Sequence, residues 1–250
     1  MSVWEGLFVF VAGIWAGTIN TVVGSGTLVS FPVLLSVGIP PVTANVSNTV
    51  GLFPGSFTGA YGYRRELAGQ RRRAIELGLG SVLGAIVGAI LLLELPAKAF
   101  KGIVPVLIVA ALLLVLFGGR LTAWLASRGH TATERVTVPL WLVVFGTGIY
   151  GGYFGAAQGV LLMGFLGLFL AESLQRQNAL KNVLAGLANL VAAIVFMATT
   201  HIDWAAAGLV AAGSITGALV GARIGRRLSP AALRAVIVVV GVAAIIKLLA

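Results

Sequence analysis

Two short polar patterns interrupt an otherwise apolar chain. In the first, Gly24, Ser25, Gly26 and Thr27 precede Asn45, Asn48 and Thr49; in the second, Gln158 and Gly159 precede Asn178, Lys181 and Asn182. Glycine at 24 and 26 lets the chain turn with positive φ and leaves backbone N–H groups free, the makings of an anion-binding nest. A short helix starting at Thr27 or Val160 aims its positive end at the same place. Asn45, Thr49 and Ser56 are spaced by 4 and 7 and share one helix face, and Asn178, Asn182 and Asn189 repeat that spacing. The chemistry these residues suit is recognition of a small anion by N–H, hydroxyl and amide donors, with Lys181 offsetting its charge. A helix end contributes only ~0.3–1 kcal/mol towards an anion, up to ~2 when partly buried, so several donors must converge.

The elements that position these residues follow from composition. Of 250 residues 59% are hydrophobic and 10% charged, with a mean hydropathy of +1.05, which leaves too little polar surface for a soluble domain. The chain reads as an all-α integral membrane protein. Apolar runs able to cross ~30 Å of hydrocarbon lie at about 3–23, 42–62, 75–95, 99–118, 137–156, 178–199, 204–222 and 232–250, eight full spans. Two pieces, Thr27 to Val37 and Val160 to Leu170, are too short to span and suit re-entrant or half-length helices. The first run lacks a basic start and a small-residue cleavage site, so it is expected to stay as a mature membrane segment. Tryptophans 4, 124, 141 and 204 fall near expected helix ends, as interfacial anchors do.

GSVLGAIVG at Gly80 to Gly88 returns as GSITGALVG at Gly213 to Gly221, an offset of 133 residues. At that offset Gly26 meets Gly159, Asn45 meets Asn178, Thr49 meets Asn182 and Ser56 meets Asn189. Rare polar residues in register mark an internal duplication, with an N-terminal repeat at 1–125, a linker at 126–136 and a C-terminal repeat at 137–250. The loop from Gly62 to Ala74 carries a net +4, the segment Arg223 to Arg234 also +4 and the central stretch from Arg120 to Arg135 +2, whereas the turn at His201 to Asp203 is −1. The positive-inside rule puts the first three in the cytoplasm. The helix ending at Tyr63 then runs inward and its repeat partner, ending near Thr199, outward. The repeats are expected to be inverted, each a broken helical hairpin plus three transmembrane helices, with both termini outside the cytoplasm and a binding site at the midplane. The glycine spacing of the paired motifs reads as helix packing.

Plainer uses stay open. Asn in membrane helices also bonds neighbouring helices, worth ~0.6 kcal/mol on average. A lysine at the bilayer centre costs ~2.5–3.5 kcal/mol, whereas near an interface it snorkels to headgroups.

GSGTLVSFPVLL, GIPPVTANVSNTVGLFPGSFTGAYGYRREL, GIYGGYFGAAQGVLL and LQRQNALKNVLAGLANLVAAIVF together resemble the sulfite exporter TauE/SafE family of membrane transporters, over nearly the whole chain. The resemblance implies a multi-pass permease of the prokaryotic inner membrane, exporting sulfite, organosulfonates or other small anions. Members often carry three glycines in each hairpin; here these positions read Gly24, Ser25, Gly26 and Ala157, Gln158, Gly159, so side chains enter where the family offers backbone.

Other classes fit poorly. The chain has no cysteine, which excludes a thiol relay, and its two histidines, His130 and His201, lie in the linker and at a turn. No carboxylate occupies a mid-span position, which disfavours a metal permease, and no catalytic set for an enzyme is in evidence. No cofactor, metal or nucleic acid is expected. The net charge of +10 suits orientation and anionic headgroups of the lipid bilayer. The expected partner is a small anionic substrate; a homo-oligomer and a purely structural membrane role both remain compatible with the residues.

Overall fold

The computed structural model describes residues 1–96 and 133–224 and, between them, 102–103, 105–110, 113, 117, 120, 124 and 127. The elements are α1 (Val3–Val22), α2 (Thr27–Ser36), α3 (Pro41–Gly62), α4 (Arg71–Glu94), α5 (Val138–Tyr153), α6 (Gln158–Phe169), α7 (Leu174–Thr199) and α8 (Trp204–Ile224). Among the described residues no strand forms, and a lone parallel bridge joins Thr133 to Leu170. Four helices, α1, α4, α7 and α8, are long and apolar enough to cross a membrane. α3 is as long, at 22 residues, but carries the first polar stripe.

Local chemistry sets the breaks. Ser2 and Glu5 close a capping box at the start of α1, with Ser2 N–H donating to Glu5 Oε2 at 2.7 Å and Glu5 N–H to Ser2 Oγ at 3.2 Å. α1 stops where Gly24 takes φ +87°. α2 then runs ten residues, about 15 Å of rise and half a bilayer, before Gly38 at φ +87° and Pro40–Pro41 launch α3. The two short segments expected from the sequence are therefore the half-length helices α2 and α6. Three lengths differ from expectation. α5 is 16 residues rather than a full span, because it breaks at Tyr153 as α1 does at Val22. α4 begins at Arg71 and α7 at Leu174, each about one turn earlier than the apolar pattern, since Arg73 and Arg176 near these starts find partners in Glu172 and in the loop before α4. Half of the span expected at 99–118, and all of that expected at 232–250, lies outside the described residues.

The helices of the first series, α1 to α4, recur in order as α5 to α8. α1 packs on α8 and α4 on α5, while α3 lies against both α7 and α8. Glycine makes the first two crossings close. A Cβ on Gly213 or Gly217 would overlap the carbonyl oxygens of Phe10 and Ile14, and one on Gly84 or Gly88 those of Phe145 and Ile149. Ser214 Oγ donates to Gly51 O and Ser81 Oγ to Leu184 O, both at 2.8 Å, so the repeated motifs tie equivalent helix pairs across the two series, α8 to α3 and α4 to α7.

One ionic cluster joins the two series. Glu172, in the turn before α7, accepts from Arg176 Nε at 2.6 Å and from Arg73 of α4. Arg73 also donates to Glu134 O, Arg176 Nη1 to Ala68 O at 3.0 Å, and Gln70 Nε2 to Arg176 O at 3.0 Å. The hydrogen bond from Arg176, with help from Arg73, holds the Glu172 carboxyl below its ordinary value of 4.5. Its ionised form thus stabilises the fold fully above that value, and the contribution disappears as pH falls through the lower native one.

Two outcomes are expected from thermal unfolding in detergent. Gly217→Val should destabilise by about 1–3 kcal/mol or more through overlap with α1, whereas Gly208→Ala, with open space around it, should be neutral. Acidification from about pH 6 to below 4 should lower the wild-type melting temperature more than that of Glu172→Gln, which lacks the titrating group.

Candidate functional site

A helix leaves its last carbonyls without intrahelical partners, and in an apolar setting each one costs ~1–3 kcal/mol if left so. α1 ends inside the protein, and α7 supplies what its end lacks. Lys181 Nζ donates to Asn20 O at 2.8 Å and to Thr21 O at 3.2 Å. Asn178 Nδ2 and Asn182 Nδ2 reach the same Thr21 O at 3.3 and 3.2 Å. The end of α5 is met in kind by α3, where Asn45 Nδ2 donates to Tyr153 O at 3.0 Å. Each polar stripe thus caps the broken helix of the other series. A carbonyl has two lone pairs and Thr21 O faces three donors, so one of them is spare.

The turns after the broken helices meet. Gly24 and its repeat partner Ala157 are both left-handed, at φ +87° and +59°, and Gly159 N–H donates to Gly24 O at 2.9 Å. A Cβ on Gly24 would overlap Gly159 Cα, and one on Gly159 would overlap Gly24 Cα. The Lys181 stem runs past this contact, its Cδ 3.0 Å from where a Cβ on Gly159 would lie. Lys181 itself is wholly buried, so the snorkelling alternative does not hold.

The other expected residues divide. Ser25, Thr27, Asn48 and Gln158 are buried at the turns, with Asn48 Nδ2 3.4 Å from Thr27 Oγ1. The N–H groups of Ser25, Gly26 and Thr27 enter none of the backbone hydrogen bonds that hold the first turn. The Gly159 N–H, expected to be free for a ligand, is instead committed to Gly24. Thr49 Oγ1 bonds back to Asn45 O at 3.0 Å, within its own helix. Gly26 is also required by packing, since a Cβ there would overlap Ala16 O. The amides of Asn45, Asn178 and Asn182 spend donors on carbonyls rather than pointing all of them into the site.

Thr21 Oγ1, Ser25 Oγ, Asn45 Oδ1, Asn48 Oδ1, Gln158 Nε2 and Asn178 Oδ1 are buried without a protein partner. Buried polar atoms are satisfied in the great majority of cases, so such a concentration marks a place built to bond something else. An open cavity of about 630 Å³ lies elsewhere, lined by Gly69, Arg72, Arg73, Glu76, Glu134 and Arg135. Its charges are largely spent: Arg72 pairs with Glu76 at 2.7 Å and Arg73 with Glu172. Asn20 and Thr21 are the functional residues that sequence reasoning missed. Their signal was the offset itself, which sets Asn20 on Tyr153 at the second break. Among the described residues no group of three His, Cys, Asp or Glu could hold a metal.

Long apolar helices, two of them broken at turns that gather buried polar groups, mark a multi-pass membrane transporter. The chain belongs to the sulfite exporter TauE/SafE family, whose profile matches residues 9–248. It is 30% identical over 245 residues to a probable membrane transporter protein, ORF9, of a Sinorhizobium species, covering 97% of this chain and 92% of that one. A probable membrane transporter protein of Haemophilus influenzae is 28% identical, covering 84% and 80%, and the probable membrane transporter protein YfcA of Escherichia coli K12 is 26% identical, covering 85% and 77%. No solved structure matches the chain significantly.

Gly24→Ala, which adds both a strained φ and an overlap with Gly159, should abolish transport and broaden thermal unfolding; Ala157→Gly, which only relieves a left-handed alanine, should keep both.

Proposed function

We propose that the chain is a secondary transporter of small anions, sulfite or an organosulfonate, that works by alternating access around the two touching turns. The observation that carries this reading is Lys181: a buried amine with carbonyls but no carboxylate bonded to it, in a site where three groups able to donate, Thr21 Oγ1, Ser25 Oγ and Gln158 Nε2, have no protein partner. Ser25 and Thr27 offer hydroxyls and, with Gly26, backbone N–H groups; Gln158 offers Nε2; Lys181 offsets the charge. Asn45, Asn48, Asn178 and Asn182 hold the broken ends that frame the anion. The family description names sulfite, which agrees with an oxyanion in a cradle of donors.

The repeats at 1–125 and 137–250 are inverted in this reading. The cluster at Arg73, Glu172 and Arg176 then closes the cytoplasmic side and must open for release there. In this reading the membrane is a prokaryotic inner membrane, and the net +4 of the loop from Gly62 to Ala74 supports that face being the inward one. Uptake of radiolabelled sulfite into proteoliposomes should be saturable, and Lys181→Gln or Asn178→Ala should lower it at least tenfold at equal reconstitution. Undiminished flux in both variants would sink the site.

A further inference from the structure

Lys181 is fully buried, and its bonded partners are two neutral oxygens, Asn20 O and Thr21 O. The elements around it bring no counter-charge among the described residues. α6 has no titratable residue. α1 carries only Glu5, bonded to Ser2 at its opposite end. α3 has Tyr61 at its far end, and α5 has Tyr150, whose hydroxyl donates to Ala156 O, and Tyr153. α4 holds Arg71, Arg72, Arg73 and Glu76 in its first turns and Glu94 at its end; α8 holds Arg223. On α7 itself the charge is Arg176, locked with Glu172. The partial charge of a helix end offsets only a small part of the cost of burying an unpaired ion.

The hydrogen-bond count resolves the conflict. A neutral amine has two N–H donors, and two carbonyls wait for them. The third N–H belongs to the ammonium alone, and it has no protein acceptor. The empty site is therefore complete with a neutral lysine, and the anion-filled site with a charged one.

We infer that anion and proton travel together, the proton on the Lys181 amine, so that each anion crossing the membrane is accompanied by one proton. On loading, the amine takes a proton from water on the entry side and the anion binds the resulting ammonium. On the other side the anion leaves, the ammonium returns its proton to water, and the amine keeps both carbonyls. Binding of either partner favours the other by the same factor. The inference rests on the anion reading above and adds its coupling: the charge moved per cycle is that of the anion plus one, and flux follows the summed anion and proton gradients.

Lys181→Arg separates the two ideas, because a guanidinium stays charged throughout. Proteoliposomes holding wild type or Lys181→Arg are loaded with radiolabelled sulfite at zero membrane potential under an imposed pH step. The solution protonation of sulfite is common to both and cancels in the comparison. Wild type should accumulate about tenfold more than Lys181→Arg for each pH unit, and the variant's uptake should respond to membrane potential by one more charge per anion. Equal accumulation and equal voltage response would overturn the coupling while leaving anion transport standing. Absence of sulfite flux in wild type would overturn the anion reading and this one with it. If Lys181→Arg does not purify as a folded protein, Lys181→His takes its place: a titratable imidazole should keep coupling with a midpoint at lower pH, and an active but uncoupled Lys181→His would overturn the inference.

Discussion

The structure depends on one constraint: two helices stop inside an apolar interior, and their last carbonyls must be satisfied there. Nothing in a bilayer core replaces a missing partner, so irregular backbone survives only where protein or a wet cavity receives it. For α1 the receivers are Lys181, Asn178 and Asn182; for α5 the receiver is Asn45. The arrangement is reciprocal, each series holding the broken end of the other. It explains why the polar stripes lie on α3 and α7, which pack face to face, and why neither series is complete alone.

Close approach is the second requirement. Side chains as short as asparagine reach a helix end only if the backbones are near, and glycine provides this at each crossing. Gly213 and Gly217 let α8 sit against α1, Gly84 and Gly88 let α4 sit against α5, and Gly24 meets Gly159 backbone to backbone. Where glycine is absent at a left-handed position, as at Ala157, the chain accepts about 1 kcal/mol or more of strain to keep the turn. The strain is held where this turn meets Gly24 backbone to backbone, so the contact between the two turns sets the geometry there.

Much of this was legible in the residues. The short runs at 27–37 and 160–170 became half-length helices because their lengths and flanking glycines allow nothing longer, and the offset of 133 paired the correct elements. Other parts were hidden for physical reasons. Hydropathy ends at the last apolar residue, so it missed that α4 starts at Arg71, where Arg72 reaches Glu76 and Arg73 reaches Glu134 and Glu172. Residue type announces a donor without saying what it binds. Asn45 and Asn178 read as ligand groups, yet each spends an amide N–H on a backbone oxygen that no pattern of side chains reveals. Lys181 had two readings from sequence, and its burial removes the one in which it snorkels to headgroups.

The duplication is most informative where it fails. Lys181 stands at the position that Asn48 holds in the first series, so equivalent sites carry an ammonium in one and an amide in the other. The longer lysine crosses to the carbonyls of α1; Asn48 reaches only Thr27 on the neighbouring short helix, which leaves Asn45 to hold α5. Two lysines at the symmetric positions would set two cations in one buried site, where like charges repel strongly at low dielectric. One lysine gives the site a single unit of charge and a single partner for it. On the anion reading proposed above, that asymmetry suits a single anion held beside the end of α1, where Lys181 meets Asn20 O and Thr21 O.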